Sequence, residues 1–186
     1  MTSKREPSPS MRMRKIALVI CEGETEVCYI NLLKKWYKSP IRIVSHIEGT
    51  KITQTLVDSR TRELKISPWD KVCTFLMYDM DVQSINEKLL ACRAEKLLSN
   101  PCFEIWLLLH AKDQRTAITT EALLKELQKS SSVWKNYTKS FFTETQKAYL
   151  KNSTDVAVDR AKKLQELQNP STGIYKLIEL LKGQKR

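Results

Sequence analysis

An apolar run that breaks at a glycine between acids, Ile16-Ala17-Leu18-Val19-Ile20-Cys21-Glu22-Gly23-Glu24-Thr25-Glu26, limits this chain more than any other stretch. It predicts a strand from Arg14 to Cys21 that is covered on both faces, followed at once by a helix from Gly23 to about Lys38. Val27, Ile30, Leu32, Leu33 and Trp36 form the apolar stripe of that helix, and Pro40 stops it. A second strand, Ile41 to Ile47, precedes a helix from about Thr50 that ends before Pro68. A third strand runs from Lys71 to Tyr78. Strand, helix, strand, helix, strand is the order of a parallel sheet wound with right-handed crossovers.

Downstream of Tyr78 the expected elements are shorter. A helix from Ile85 to Cys92 and a strand from about Glu95 to Leu98 complete a four-stranded sheet. Ser99-Asn100-Pro101 then opens a buried helix, with Asn100 as its cap and Pro101 at its first position. Thr119 to Lys129 and Tyr149 to Gln168 read as helices on either side of a Ser130-Ser131-Ser132 linker. The last helix starts after Asn169-Pro170-Ser171-Thr172 and puts Ile174, Leu177, Ile178 and Leu181 on one face. The domain reading is therefore a basic flexible tail (1–13), an α/β core (14–112) and a helical extension packed on it (113–186).

Composition excludes several classes. An apolar fraction of 41% and a charged fraction of 28% belong to a globular chain, and no apolar run approaches the length of a membrane span. Residues 1–15 have no apolar segment of a secretory leader behind them, so a cytoplasmic location is expected. Cys21, Cys28, Cys73, Cys92 and Cys102 form no C-x-x-C pair and are expected as reduced, mostly buried thiols. Only His46 and His110 are available beside them, which argues against structural zinc. The net charge of +11 favours a polyanionic partner, most simply nucleic acid. Glycines stand only at 23, 49, 173 and 183, so there is no phosphate-binding P-loop and no dinucleotide fingerprint.

Acids mark the strand ends. Glu22 and Glu26 flank the first strand-to-helix turn, and Asp79 and Asp81, one residue apart, follow the third strand. In an open parallel sheet the carboxyl ends of the strands share one edge, where ligands bind, so these acids can meet. Glu104, at the start of the buried helix, can face the same edge. Carboxylates gathered without matching bases repel one another, and a hard divalent cation, Mg²⁺ or Mn²⁺, relieves the repulsion. Such an ion polarises a phosphate and activates water. Taken singly, each acid reads more simply as a helix-terminus or capping group; the combination of E-G-x-T-E with D-x-D is what points to function.

Other candidates are weaker. Lys139 can offset charge on a phosphate or simply face solvent. Ser171 and Thr172 can hold a phosphate at a helix start or only cap it. Arg14 and Lys15, with Lys4, Arg5 and Arg12 before them and Lys182, Lys185 and Arg186 at the other end, can attract a phosphate backbone. His110 reads as a structural histidine.

Cys21-Glu22-Gly23-Glu24-Thr25-Glu26, Asp79-Met80-Asp81, Ser99-Asn100-Pro101-Cys102-Phe103-Glu104-Ile105-Trp106-Leu107-Leu108-Leu109-His110 and Pro170-Ser171-Thr172 together resemble the RloB family. That family is similar to the Toprim fold of topoisomerases, primases and OLD-type nucleases. The resemblance implies a Toprim-like four-stranded parallel sheet flanked by helices, with a C-terminal helical extension. Glu22 would match the acid of the first Toprim motif, Asp79 and Asp81 the D-x-D motif, and Glu26 the second acid of OLD-type nucleases. It further implies a metal-dependent nuclease acting on RNA, such as tRNA, or on DNA, as an effector of bacterial anti-phage defence with an ATPase partner protein. The segment between Asp81 and Ser99 is shorter than the family's usual run. Two alternatives stand beside cleavage: a regulatory subunit that binds nucleic acid or nucleotide without cutting it, and nucleotidyl transfer. A homo-oligomer is compatible with all three.

Overall fold

A computed structural model describes residues 14–183. The tail at 1–13, with Lys4, Arg5 and Arg12, and the basic end at Lys185 and Arg186 lie outside the described residues. Strand β1 (Lys15–Cys21) leads into α1 (Glu24–Tyr37), β2 (Arg42–Ile47), α2 (Gln54–Glu63) and β3 (Lys71–Met77). After α3 (Gln83–Ala91) come β4 (Glu95–Lys96), β5 (Ser99–Asn100) and α4 (Glu104–Ala111). The remainder is α5 (Thr120–Ser130), a 3-10 turn (Ser132–Trp134), α6 (Glu144–Ala161), β6 (Ser171–Thr172) and α7 (Ile174–Lys182). Among the described residues no helix is long and apolar enough to cross a membrane.

The protein is α/β, with a four-stranded parallel sheet in the order β2-β1-β3-β4, consistent with a Toprim-like fold. Alternation of side chains along β1 explains why both faces are dry. Ala17, Val19 and Cys21 meet Tyr29, Ile30 and Leu33 of α1 together with α4 to α7, whereas Ile16, Leu18 and Ile20 meet Ile52 and Val57 near α2 and Leu89 of α3. Passing from β1 to β2 over one face, and from β2 back across β1 to β3 over the other, gives both crossovers the same hand. The order reverses between β1 and β3, which leaves a crevice beyond their carboxyl ends.

Several boundaries differ from the sequence reading. Thr53 caps α2 by accepting the Leu56 N–H at 3.2 Å, so that helix starts later than Thr50. Helix α6 starts before Tyr149 because Thr143 and Gln146 form a reciprocal capping box, at 2.9 and 3.2 Å. Strand β4 is only two residues long, yet parallel bonding continues past it through Leu97 N–H to Leu76 at 2.8 Å and Ser99 N–H to Tyr78 at 2.9 Å.

The largest correction concerns residues 99–101 and 171–172. Asn100 does not cap α4 and Pro101 is not in its first turn; the helix starts at Glu104. Ser99 and Asn100 instead pair antiparallel with Thr172 and Ser171. The Asn100 side chain turns to Leu167 instead, its Nδ2 donating to that carbonyl at 2.9 Å, and Phe103 occupies the N-cap position of α4. The last helix starts after Thr172, as expected, at Ile174; Ser171 and Thr172 form the strand before it, and Thr172 Oγ1 lies 3.4 Å from the Ile174 N–H. Gly173 is required where this ladder turns: a Cβ there would stand 2.5 Å from the Lys96 carbonyl.

Helix α4 is the hub of the molecule. Every residue from Glu104 to His110 is buried. Its apolar side chains, with those of α5, α6 and α7, share one cluster with the sheet face that α1 covers.

Candidate metal centre

The site forms at the switch point, where the tips of β1 and β3 lie side by side. Cys21 is in register with Met77, and the next amide, Glu22 N–H, still bonds the Met77 carbonyl at 3.1 Å. Glu22 Oε2 in turn accepts the Asp79 N–H at 3.0 Å. The two acidic tips are thus joined directly, although 57 positions separate them in the chain.

Asp79 extends the connection to α4. Its Oδ1 accepts the Phe103 N–H at 2.7 Å, at the helix start where exposed amides favour negative charge. That bond brings Asp79 beside Cys102 and Glu104: one donor atom from each lies within 4.8 Å of the others. The Tyr137 hydroxyl donates to Glu104 Oε1 at 3.1 Å, and Lys139 Nζ stands 3.6 Å from the same oxygen. Glu104 Oε2 is buried with no hydrogen-bond partner. A buried, unpaired carboxylate oxygen is costly unless something binds it.

The electrostatics show the crowding. Burial, followed by the charges of Glu26, Glu22 and Glu104, pushes Asp79 up to about 8. Burial also raises Glu22, with Asp81 adding to the rise, while the Asp79 amide and Lys139 oppose it. Glu26 is raised by burial and by Glu22 and Glu104, against hydrogen bonds from its own amide and that of Gly23. Burial works to lower Lys139, but the charges of Glu104 and Asp79 outweigh it and hold the amine above its ordinary range. One ammonium does not balance this set of carboxylates.

The sequence candidates divide as follows. Asp79 and Glu104 come together, Lys139 joins them from the loop before α6, and Glu22 is tied to the Asp79 amide beside the tight group. Glu26 is adjacent and buried; its Oε2 also accepts the Gly23 N–H at 3.1 Å, so it caps its own helix as well. Asp81 is exposed at the rim, within electrostatic reach of Glu22 but outside the tight group. Ser171 and Thr172 are 3% exposed, with Thr172 Oγ1 3.0 Å from Ser99 Oγ, and present no helix terminus to a phosphate. Arg14 and Lys15 sit at the amino edge of the sheet, about 20 Å from the acids by strand rise.

Three contributors escaped the sequence reading. Cys102 lies in the group, its thiol pushed up by burial and by the Glu104 charge. Tyr137 orients Glu104. The third is the anchoring of the Lys139 loop on α1: Ser140 N–H donates to Thr25 Oγ1 at 3.0 Å, and the Cys28 thiol donates to the Ser140 carbonyl at 3.1 Å. Only the proximity of Cys102 to Glu104 was visible locally. The other two join residues more than 30 positions apart.

All five cysteines are free. His110 is buried beneath Trp106, ring centroids 4.7 Å apart, with Nδ1 2.8 Å from the Trp106 carbonyl, which places it in the core and away from the acids.

The donor set fits a hard cation: clustered carboxylates, an unpartnered buried oxygen and a raised Asp79 are what such an ion would relieve. No curated protein and no solved structure matches the chain. The model of one protein family does, that of RloB-like proteins, over residues 17–181. That span covers the sheet, the acids and the last helix, and the chain belongs to the RloB-like protein family.

Proposed function

We propose that this protein is a metal-dependent nuclease that hydrolyses phosphodiester bonds in nucleic acid, RNA or DNA. The observation that carries the reading is Glu104 Oε2, buried without a partner beside Asp79, which burial and then the neighbouring acids raise. Asp79, Glu104 and Glu22 would hold Mg²⁺ or Mn²⁺, which when bound supplies positive charge to the phosphate oxygens and acidifies water. Glu26, with its raised affinity for protons, is suited to accept one from the attacking water. Lys139 can pair with a non-bridging phosphate oxygen in place of Glu104. Tyr137 keeps Glu104 in one rotamer while this occurs.

The nucleic-acid partner is supported by charge placement. A groove at the end of α5 is lined by Lys125, Lys129 and Lys135 with Gln128, Ser131 and Ser132. None of the three lysines is in an ion pair among the described residues. Lys135 precedes Lys139 by four positions in the chain. The role in anti-phage defence and the ATPase partner rest on family likeness; with no glycine-rich phosphate loop in the sequence, ATP would not be hydrolysed here by the P-loop route.

The deciding experiment incubates purified protein with total RNA and with plasmid DNA in Mn²⁺, beside Asp79→Asn and Glu22→Gln. Cleavage by the wild type and its loss in both variants is expected. Equal cleavage by either variant would remove the site assignment. Nucleic-acid binding that persists in EDTA without cleavage under any metal would make the protein a binding subunit.

A further inference from the structure

Beside Lys139, on the loop that reaches the acids, stands an aromatic ring that the hydrolytic reading does not use. Phe141 is 60% exposed, whereas Phe142 next to it is 2% exposed and belongs to the core. The intervening geometry is held firmly. Ser140 has φ 66°, a left-handed conformation disfavoured for a residue with a side chain. It is kept there by its two hydrogen bonds to Thr25 and Cys28 of α1. The consequence is a fixed arrangement of the loop: Lys139, itself exposed along its side chain, brings its ammonium to within 3.6 Å of Glu104, and Phe141 faces solvent. The ammonium of Lys147 lies over the Phe141 ring, 6.0 Å from its centroid, so one face carries positive charge and the other is left for a ligand.

We infer that Phe141 is a stacking platform for an unpaired nucleobase next to the phosphate held at Lys139, so that the site takes single-stranded nucleic acid in preference to duplex. This rests on the nuclease reading for the identity of the ligand. The Cα atoms of Lys139 and Phe141 are at most about 7 Å apart, so a strand with a phosphate at Lys139 passes the loop that carries the ring. Exposed aromatic rings interleaved with lysines bind single strands because every base has a π-face, while a base inside a duplex is already stacked. A loop pinned before binding loses little entropy when the base arrives. The chemistry is indifferent to the 2′-hydroxyl, so RNA and DNA strands are both ligands of this platform.

The test measures binding of a fluorescein-labelled single-stranded 12-mer, and of the duplex of the same sequence, to the full chain in EDTA, where no cleavage occurs. Phe141→Ala should weaken single-strand binding roughly 5- to 100-fold and leave duplex binding within about two-fold. Phe141→Tyr should restore it, while Phe141→Leu, apolar but without a π-face, should behave like alanine. A 2-aminopurine base in the strand should be quenched by the wild type and not by Phe141→Ala. Wild-type affinity in Phe141→Leu, equal losses for strand and duplex, or no single-strand binding by the wild type would overturn the inference. Because these readouts need no catalysis, a protein that never cuts but loses strand binding in Phe141→Ala would refute the nuclease reading and leave the platform standing.

Discussion

The Tyr137 hydroxyl donates to Oε1 of Glu104 at 3.1 Å, joining the C-terminal helices to the first turn of α4 and leaving Oε2 of the same carboxylate unpaired. Tyr137 and Lys139 thus share one oxygen of the carboxylate, and the other is left without a partner. Tyr137→Phe removes a hydrogen bond to a charged group, a loss of about 1.5–3 kcal/mol. Thermal melting should detect it. Cleavage should fall at least about tenfold without vanishing, because misplacement of a ligand costs less than its removal. Glu104→Gln, in contrast, should abolish cleavage and keep the fold.

Asp79 should be a site where function opposes stability. Its ordinary value of 3.8 is pushed up to about 8 by burial and by the Glu26, Glu22 and Glu104 charges. Between those values the folded chain keeps a proton that the unfolded chain has lost, so this group's contribution to stability falls as pH rises through the window. Asp79→Asn should therefore be more stable than wild type at pH 8 in EDTA, by roughly 1–2 kcal/mol, seen as a higher Tm. Adding Mn²⁺ should raise the wild-type Tm and leave that of the variant unchanged. A wild type that ignores Mn²⁺ at pH 8 would refute the metal centre.

His110 gives the opposite slope. Burial, against the Trp106 carbonyl that favours the charged form, lowers it from 6.5 to about 4. The unfolded chain binds more protons than the folded one between those values. This contribution to stability is complete above pH 6.5 and is lost as pH falls toward 4. Chemical denaturation of His110→Gln, whose amide can still donate to the Trp106 carbonyl, should show a flatter pH dependence over that range. An unchanged profile would mean that the imidazole is charged in the folded state.

The groove of Lys125, Lys129 and Lys135 should act through counterion release. Replacing all three by alanine should weaken binding of a single strand and reduce the slope of log affinity against log salt by about 2. Fluorescence anisotropy across a salt series reads both. Since the groove carries no acid of the metal centre, cleavage at saturating substrate should be retained.

Local patterning made the α/β order legible. Ile16 to Cys21 is apolar without a break because both faces of β1 are covered, and a run of that kind needs no knowledge of its neighbours to be read as a central strand. The stripe of Ile174, Leu177, Ile178 and Leu181 was equally plain, since helical periodicity is a property of nearest turns. Glu22, Asp79 and Glu104 were legible as site candidates because each stands where an apolar element begins or ends.

Other features were decided by contacts that no local pattern records. Asn100 has the chemistry of a helix cap, but the antiparallel pairing of Ser99 and Asn100 with Thr172 and Ser171 claims its backbone first. Asp81 and Asp79 are equivalent in sequence; only the start of α4, offering the Phe103 amide, makes Asp79 the inner acid. Tyr137 and Lys139 enter the site because Ser140 is fastened to α1, more than 100 positions earlier. The amino-acid order by itself determined which segments are strands and helices and where acids end them, since hydrophobic periodicity acts over a few residues. The partners of those acids were left to the tertiary structure, because burial, hydrogen bonding and charge repulsion depend on which distant groups the closed core brings within a few ångströms.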